Sequence, residues 1–134
     1  SSDVCSSDLT AVEEAEKFAA QTQVDALAVA IGTAHGNYSV QPKLRIDRLK
    51  EIFDAIKTPL VLHGGSGLSD DDFRRTIEGG ICKINVYTDV ILAARKAIDE
   101  NPADGYTDVL QKAESAMKEA VIRKLRIFGS CGMA

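Results

Sequence analysis

The chain contains two histidines, His35 and His63, and each follows an apolar run and precedes a glycine. His63 comes directly after Leu60–Leu62, a run with the length of a buried strand. The glycine-rich segment Gly64–Gly67 follows, and then Ser69–Asp72, where a short capping side chain precedes acids that suit the first turn of a helix. This order predicts backbone N–H groups that point at an anion, with a potential metal ligand beside them.

Two further polar segments follow predicted strands. The apolar run Val24–Ile31 precedes a segment that holds His35 and Gly36, and the run Ile81–Val86 leads into a polar segment around Thr88. Each feature also has a structural explanation, because glycine-rich turns are common and short motifs match by chance. A lone histidine at a strand end is more often structural than catalytic.

The sequence allows two roles for each of three side chains near these segments. Asn85 could bind a ligand or satisfy backbone groups in a tight turn. Ser66 could contact a phosphate or cap the following helix, and these two roles are compatible. Lys83 points either into the interior or toward the site, and we leave it unassigned.

Helical patterns alternate with the predicted strands. The first helix should begin at a capping box of Thr10 and Glu13, and the third should end at Gly79 and Gly80. The predicted helices are Thr10 to about Gln21, Leu44–Lys57, Asp70–Glu78, one that follows Tyr87-Thr88-Asp89 and runs to about Glu100, and Thr107 to about Phe128. Residues expected to face the core include Ile46, Leu49, Ile52, Phe53 and Ile56, then Cys82, Ile91, Ala94, Leu110, Val121 and Leu125.

The alternation of strands and helices predicts an α/β fold with a parallel sheet, whose polar residues gather at the carboxyl edge of the strands. Three strands that are apolar on both faces leave two open edges, so each outer strand needs a neighbour. We therefore expect the last three βα units of a (β/α)8 TIM barrel, a unit of about 250 residues. Residues 1–9 lack an apolar face, and we expect a leader foreign to the fold or a disordered tail before a domain at 10–134.

The composition excludes several classes of partner. The chain has 134 residues and a net charge of −4, and it shows no long basic cluster. Nucleic acids and anionic membranes are therefore not expected as partners, and no apolar stretch has the length of a membrane span. The three cysteines have no metal-type spacing, which favours free thiols in a reducing cytoplasm.

The three polar segments together resemble the carboxyl-terminal half of class II, zinc-dependent ketose-bisphosphate aldolases. The segments are G-T-A-H-G with His35, L-H-G-G-S-G with His63, and K-I-N-V-Y-T-D with Asn85. The likeness runs from about Val24 to the closing F-G-S-C-G, and more loosely from Thr10. Its strand and ending look closer to the tagatose-type members than to the fructose-type members.

The resemblance implies roles for single residues. His35 and His63 would be zinc ligands, and a monovalent cation assists phosphate binding in some members of the family. Residues that would bind the phosphate or ketone of the dihydroxyacetone-phosphate half are Gly36, Gly64, Gly65, Ser66, Asn85, Val86, Tyr87 and Thr88. Tyr87 departs from the family, where smaller or acidic residues are frequent, and this puts the shape of the pocket in doubt.

The implied activity is reversible cleavage of a ketose 1,6-bisphosphate, fructose or tagatose, to dihydroxyacetone phosphate and glyceraldehyde 3-phosphate. The resemblance also implies a cytoplasmic homo-oligomer for the full-length enzyme. Catalytic zinc sites have about three protein ligands, and the third histidine and the proton-donating aspartate of the family come from earlier strands. We expect the chain by itself to be inactive. The alternative is a non-catalytic half-barrel that binds a phosphosugar or metal and pairs through its open edges.

Overall fold

The computed structural model describes residues 9–33, 42–102 and 104–133. These residues form five helices and three strands in the predicted alternating order. The elements are α1 (Val12–Thr22), β1 (Leu27–Ala28), α2 (Ile46–Ala55), β2 (Leu60–Leu62), α3 (Asp70–Glu78), β3 (Ile81–Ile84), α4 (Thr88–Glu100) and α5 (Tyr106–Ile127). The order of elements and the α/β class are therefore confirmed.

The three described strands make one parallel sheet in the order β1-β2-β3. In the register of the sheet, Leu60 of β2 lies between Leu27 of β1 and Ile81 of β3. β2 has a described neighbour on each side, and all three of its residues are buried. The carboxyl ends of the strands lie at one edge of this sheet, as parallel pairing requires.

The first strand is much shorter than predicted. The sequence predicts a strand over Val24–Ile31 with both faces covered, whereas β1 contains two residues and Ala28 is exposed. Its only described neighbour, β2, is itself three residues long, so the hydrogen-bonded ladder cannot extend far. The chain nevertheless continues beside β2, since the Val29 N–H donates to the Val61 carbonyl over 3.4 Å.

The third strand corrects the prediction for Cys82. We expected a buried residue within the strand Ile81–Val86, but the strand ends at Ile84 and Cys82 is exposed. Its thiol donates to the Leu60 carbonyl over 3.2 Å. Apolar residues flank Cys82 in the sequence, but burial depends on whether an element covers that face.

The core of this part of the chain lies between the sheet and the inner faces of α2 and α3. Leu49, Ile52 and Phe73 are fully buried there, and Ile56 is nearly so. Phe53 was predicted to face the core and is 51% exposed instead. Its ring covers Gly80, where a Cβ atom would come within 2.2 Å of the ring.

The start of α1 also differs from the prediction. The helix begins after Ala11, and the Ala11 N–H donates to the Glu14 carboxylate over 3.4 Å. Thr10 does not cap the helix, because its hydroxyl accepts from the Ala30 N–H at 2.8 Å. The Thr10 N–H donates back to the Ala30 carbonyl at 3.0 Å. Thr10 is therefore hydrogen-bonded to the segment that follows β1.

The residues from Val86 onward form a second compact unit, while the first ends at Asn85. Within the second unit α4 and α5 pack against each other, and Ala94 of α4 is buried as predicted. The predicted inward positions Ile91, Leu110, Val121 and Leu125 are each at least 40% exposed. Within its unit α5 has α4 as its helical neighbour, so much of its apolar surface lies outside that contact.

No described helix combines the length and apolar character needed to span a membrane.

Candidate functional site

His63 and Asn85 lie together at the carboxyl ends of neighbouring strands. His63 follows β2, Asn85 follows β3, and Asn85 Nδ2 is 3.4 Å from His63 Nδ1. The Asn85 N–H also donates to the Leu62 carbonyl at 3.0 Å, which ties its main chain to the end of β2. Parallel pairing places these two residues at one edge, because each comes directly after the last paired residue of its strand.

Lys83 forms the next contact in this group of polar side chains. Its ammonium donates to Asn85 Oδ1 over 2.6 Å. An ammonium group has donors only, so the amide oxygen must face Lys83 and the amide NH2 group must face the ring of His63. The sequence left Lys83 unassigned, but the i, i+2 spacing of Lys83 and Asn85 is the signal that places both on one face of an extended strand.

The loop after His63 depends on glycine at two kinds of position. Gly64 and Gly67 have φ angles of +66° and +84°, in the left-handed region that side chains disfavour. At Gly65 a Cβ would lie 3.0 Å from Ile84 Cγ2 and 3.1 Å from the Asn85 carbonyl oxygen. The β2–α3 loop therefore approaches the end of β3 as closely as backbone allows.

The N-terminus of α3 is satisfied by its own side chains. Ser69 Oγ accepts from the Asp72 N–H at 3.1 Å, and Asp72 accepts from the Ser69 N–H at 3.3 Å. Asp70 and Asp71 add negative charge to the same turn. The predicted capping role of Ser69 is confirmed, and the anion-binding role of this helix start stays a prediction.

Ser66 is separate from the helix cap. Ser66 is only 6% exposed. The hydroxyl that caps α3 belongs to Ser69. The alternative in which Ser66 caps α3 is therefore wrong. A buried hydroxyl next to Gly64 and Gly65, both also buried, keeps the phosphate role as a prediction.

The predicted segment Val86–Thr88 belongs to the second unit. Thr88 is the first residue of α4, and the Tyr87 carbonyl accepts from the Val90 and Ile91 N–H groups at 3.1 and 3.2 Å. Tyr87 is 73% exposed, and its side chain makes no capping hydrogen bond with this helix. The roles of these three residues stay predictions.

An ion pair inside the second unit supports the first turn of α4. Lys124 Nζ of α5 lies 2.7 Å from Asp89 Oδ2, and their side chains are only 14% and 24% exposed. The pair fixes the first turn of α4 against the last turns of α5. The sequence pattern does not reveal this pair, because 35 positions separate the two residues and their contact depends on how two helices pack.

A metal centre needs several donor side chains close together. The described residues contain no group of three or more His, Cys, Asp or Glu side chains that could hold a metal ion. They do offer the imidazole of His63, an ordinary zinc ligand, at an exposed position of the strand edge. His35 and Gly36 lie outside the described residues, and so does Cys5. The described donor set thus fits one ligand of a zinc ion and needs others from elsewhere.

Comparisons of sequence identify relatives across nearly the whole chain. A family model described as fructose-bisphosphate aldolase class-II matches residues 2–133. The uncharacterized protein YdjI of Escherichia coli strain K12 is 41% identical over 122 residues, which are 91% of this chain and 44% of YdjI. The chain therefore spans less than half the length of this curated relative.

Comparisons of structure agree with those of sequence. The crystal structure of the YdjI aldolase from Escherichia coli K12 matches with a TM-score of 0.85 and 38% identity, covering 93% of this chain and 46% of that one. A candidate fructose-1,6-bisphosphate aldolase from Coccidioides immitis gives a TM-score of 0.85 and 33% identity, with coverages of 93% and 45%. Fructose-bisphosphate aldolase from Campylobacter jejuni matches at 0.70 and 21% identity, which shows a common fold.

Proposed function

The chain belongs to the class-II fructose-bisphosphate aldolase family, and from this premise we propose that it supplies zinc and phosphate ligands to an aldolase active site. The substrate would be a ketose 1,6-bisphosphate, either fructose or tagatose. The contact between His63 and Asn85 carries the proposal, because it joins a metal-type ligand and a hydrogen-bonding amide at the strand edge. The glycine-rich loop begins at the same point of the chain.

The loop and Asn85 would bind the dihydroxyacetone-phosphate half of the substrate. The backbone N–H groups around Gly64, Gly65 and Ser66 would hold the phosphate, which needs local donors because the net charge of the chain is −4. The Asn85 amide would donate to a substrate oxygen. We assign Gly36, Val86, Tyr87 and Thr88 to the same half of the substrate on the strength of the family motifs alone. Binding energy from the phosphate would orient the reacting carbons.

The metal ligands in this chain would be His63 and His35, with further ligands from the part of the relatives that this chain does not cover. When bound, zinc supplies a Lewis acid that stabilises the negative charge of the reaction. In the cleavage the C4 hydroxyl loses its proton, the C3–C4 bond breaks, and its electron pair passes to the dihydroxyacetone-phosphate half. A proton delivered to C3 then completes dihydroxyacetone phosphate. We assign no acid or base for these proton transfers to the described residues.

The site suggests a direct binding experiment on the chain. We expect the purified chain, mixed with the amino-terminal half of YdjI, to bind zinc, measured by metal analysis after gel filtration, and His63→Ala to reduce binding at least about tenfold. Cys82→Ser is the matched control. Cys82 is an exposed thiol in the same sheet and could also bind a metal ion, but we assign it no part in the site. Equal zinc binding by the chain and His63→Ala would contradict the proposal.

The activity requires a second measurement. We expect no cleavage of fructose or tagatose 1,6-bisphosphate by the chain alone, and cleavage once it is mixed with the amino-terminal half of YdjI. Zinc and phosphosugar binding without cleavage in either assay would favour the alternative, a non-catalytic binding half-barrel whose strand edges pair with another copy. Failure to bind both zinc and phosphosugar would exclude both functions.

A further inference from the structure

We propose that Lys83 is a positioning residue that acts through Asn85 on the ring of His63. The ammonium lies 2.6 Å from Asn85 Oδ1, and the amide Nδ2 lies 3.4 Å from His63 Nδ1. The three side chains therefore form one line of hydrogen bonds from the face of β3 to the end of β2. The inference rests on the proposed place of His63 and Asn85 in the active site.

The direction of the amide follows from the donors and acceptors at its two ends. Hydrogen bonds that involve a charged group are about twice as strong as neutral ones, and the Lys83 contact is also the shorter of the two. Turning the amide over would place its NH2 group against an ammonium that can only donate. Lys83 therefore decides which end of Asn85 faces His63.

The direction of the amide in turn selects the form of the histidine ring. The amide NH2 donates, so the Nδ1 atom of His63 must accept, and the proton of the neutral ring then resides on Nε2. A lone pair on Nδ1 is also what a metal ion needs. Lys83 thus keeps Nδ1 of His63 unprotonated. A metal ion could then bind the Nδ1 lone pair in place of the Asn85 amide.

Nitrogen NMR of the metal-free chain tests this inference. At about pH 8.5, where free imidazole is neutral and lysine is charged, the shifts of the two ring nitrogens report the position of the proton. We expect the Nε2–H form of His63 to predominate. In Lys83→Met we expect the ratio of the Nε2–H to the Nδ1–H form to fall at least about threefold, and Lys83→Arg to restore it because guanidinium also donates.

Two further variants make the test decisive. Asn85→Asp keeps Lys83 but presents only acceptors to the ring, so we expect the Nδ1–H form to predominate. Lys57→Met removes another exposed lysine and should leave the ratio unchanged. Should Lys83→Met fail to fold, Lys83→Gln is the second variant, because an amide can both donate and accept and so no longer decides which end of Asn85 faces His63.

An unchanged ratio in Lys83→Met would overturn the inference, and so would an equal change in Lys57→Met. Because the spectra are recorded without metal, this result is independent of whether His63 binds zinc. Zinc binding that fails while the ring responds to Lys83 would overturn the proposed function and keep the positioning role. Zinc binding by a chain whose His63 ring does not respond to Lys83→Met would keep the proposed function and overturn the positioning role.

Discussion

The side chains of Asn85 and His63 meet across 22 positions of sequence, with Nδ2 and Nδ1 separated by 3.4 Å. The main chain of Asn85 is held at the same place by its N–H bond to the Leu62 carbonyl. The contact therefore depends on the register between β2 and β3, and on the loop that packs beside it at Gly65.

Replacement of Gly65 by alanine should disturb this contact. The new Cβ would lie 3.1 Å from the Asn85 carbonyl oxygen and 3.3 Å from the ring of Phe73, so the loop must shift. We expect a loss of about 1–3 kcal/mol in the free energy of unfolding, measured by urea denaturation, together with weaker phosphate binding. Gly105→Ala is the control, since nothing lies within 4 Å of its Cβ. Equal stabilities of the two variants would refute the close packing.

Ser69 and Ser66 should respond differently to alanine. Ser69 caps α3 through its hydrogen bond with the Asp72 N–H, so Ser69→Ala should lower the free energy of unfolding by about 0.5–2 kcal/mol. It should leave phosphate binding intact. Ser66→Ala should instead weaken binding of dihydroxyacetone phosphate, measured by calorimetry. If Ser69→Ala were the variant that lost phosphate binding, the assignment of the anion site to the loop would be wrong.

The ion pair of Asp89 and Lys124 should stabilise the packing of α4 and α5. Because both side chains are mostly buried, we expect Lys124→Met to cost about 1–3 kcal/mol of unfolding free energy, and a double-mutant cycle with Asp89→Asn to show coupling. The control is Lys96→Met, which removes a 3.8 Å pair with Glu100 whose side chains are 71% and 62% exposed. That variant should change stability by at most about 0.5 kcal/mol. Similar losses in both variants would contradict the prediction.

Asp47 gives a prediction about pH. Hydrogen bonds from the Arg45 guanidinium, and then from the Arg48 N–H, lower the pKa of Asp47 to about 2. A folded pKa below the ordinary value stabilises the fold above about pH 4, and this contribution is lost as the pH falls toward 2. In Arg45→Met we expect the pKa of Asp47 to rise, measured by carboxyl NMR titration. Lys50→Met, on the exposed face of α2, should leave it unchanged.

The local features of the fold were predictable from sequence. The order of elements, the parallel sheet and the Ser69 cap follow from patterns within about ten residues, such as apolar runs, glycine stops and capping side chains. The meeting of His63 with Asn85 was also predictable, since both come directly after parallel strands. Predicting these features does not require knowing which elements pack on each face of the sheet.

The errors concern residues whose environment depends on distant elements. Cys82 and Phe53 lie in apolar patterns, but burial is decided by which faces other elements cover. Thr10 had the right spacing for a cap, and the Ala30 N–H competed for its hydroxyl from 20 residues away. Lys83 was left open because its partner depends on a side-chain direction that the pattern alone does not give.

The left-handed conformations of Gly64 and Gly67 restrict how this loop can be engineered. Any residue with a Cβ at either position costs roughly 1–2 kcal/mol, or about a factor of 5 to 30 in the ratio of folded to unfolded chain, before any ligand is considered. Libraries that randomise both glycines will therefore consist mainly of weakened clones. Diversity is better introduced at Tyr87, which we propose as a substrate contact and whose side chain is exposed.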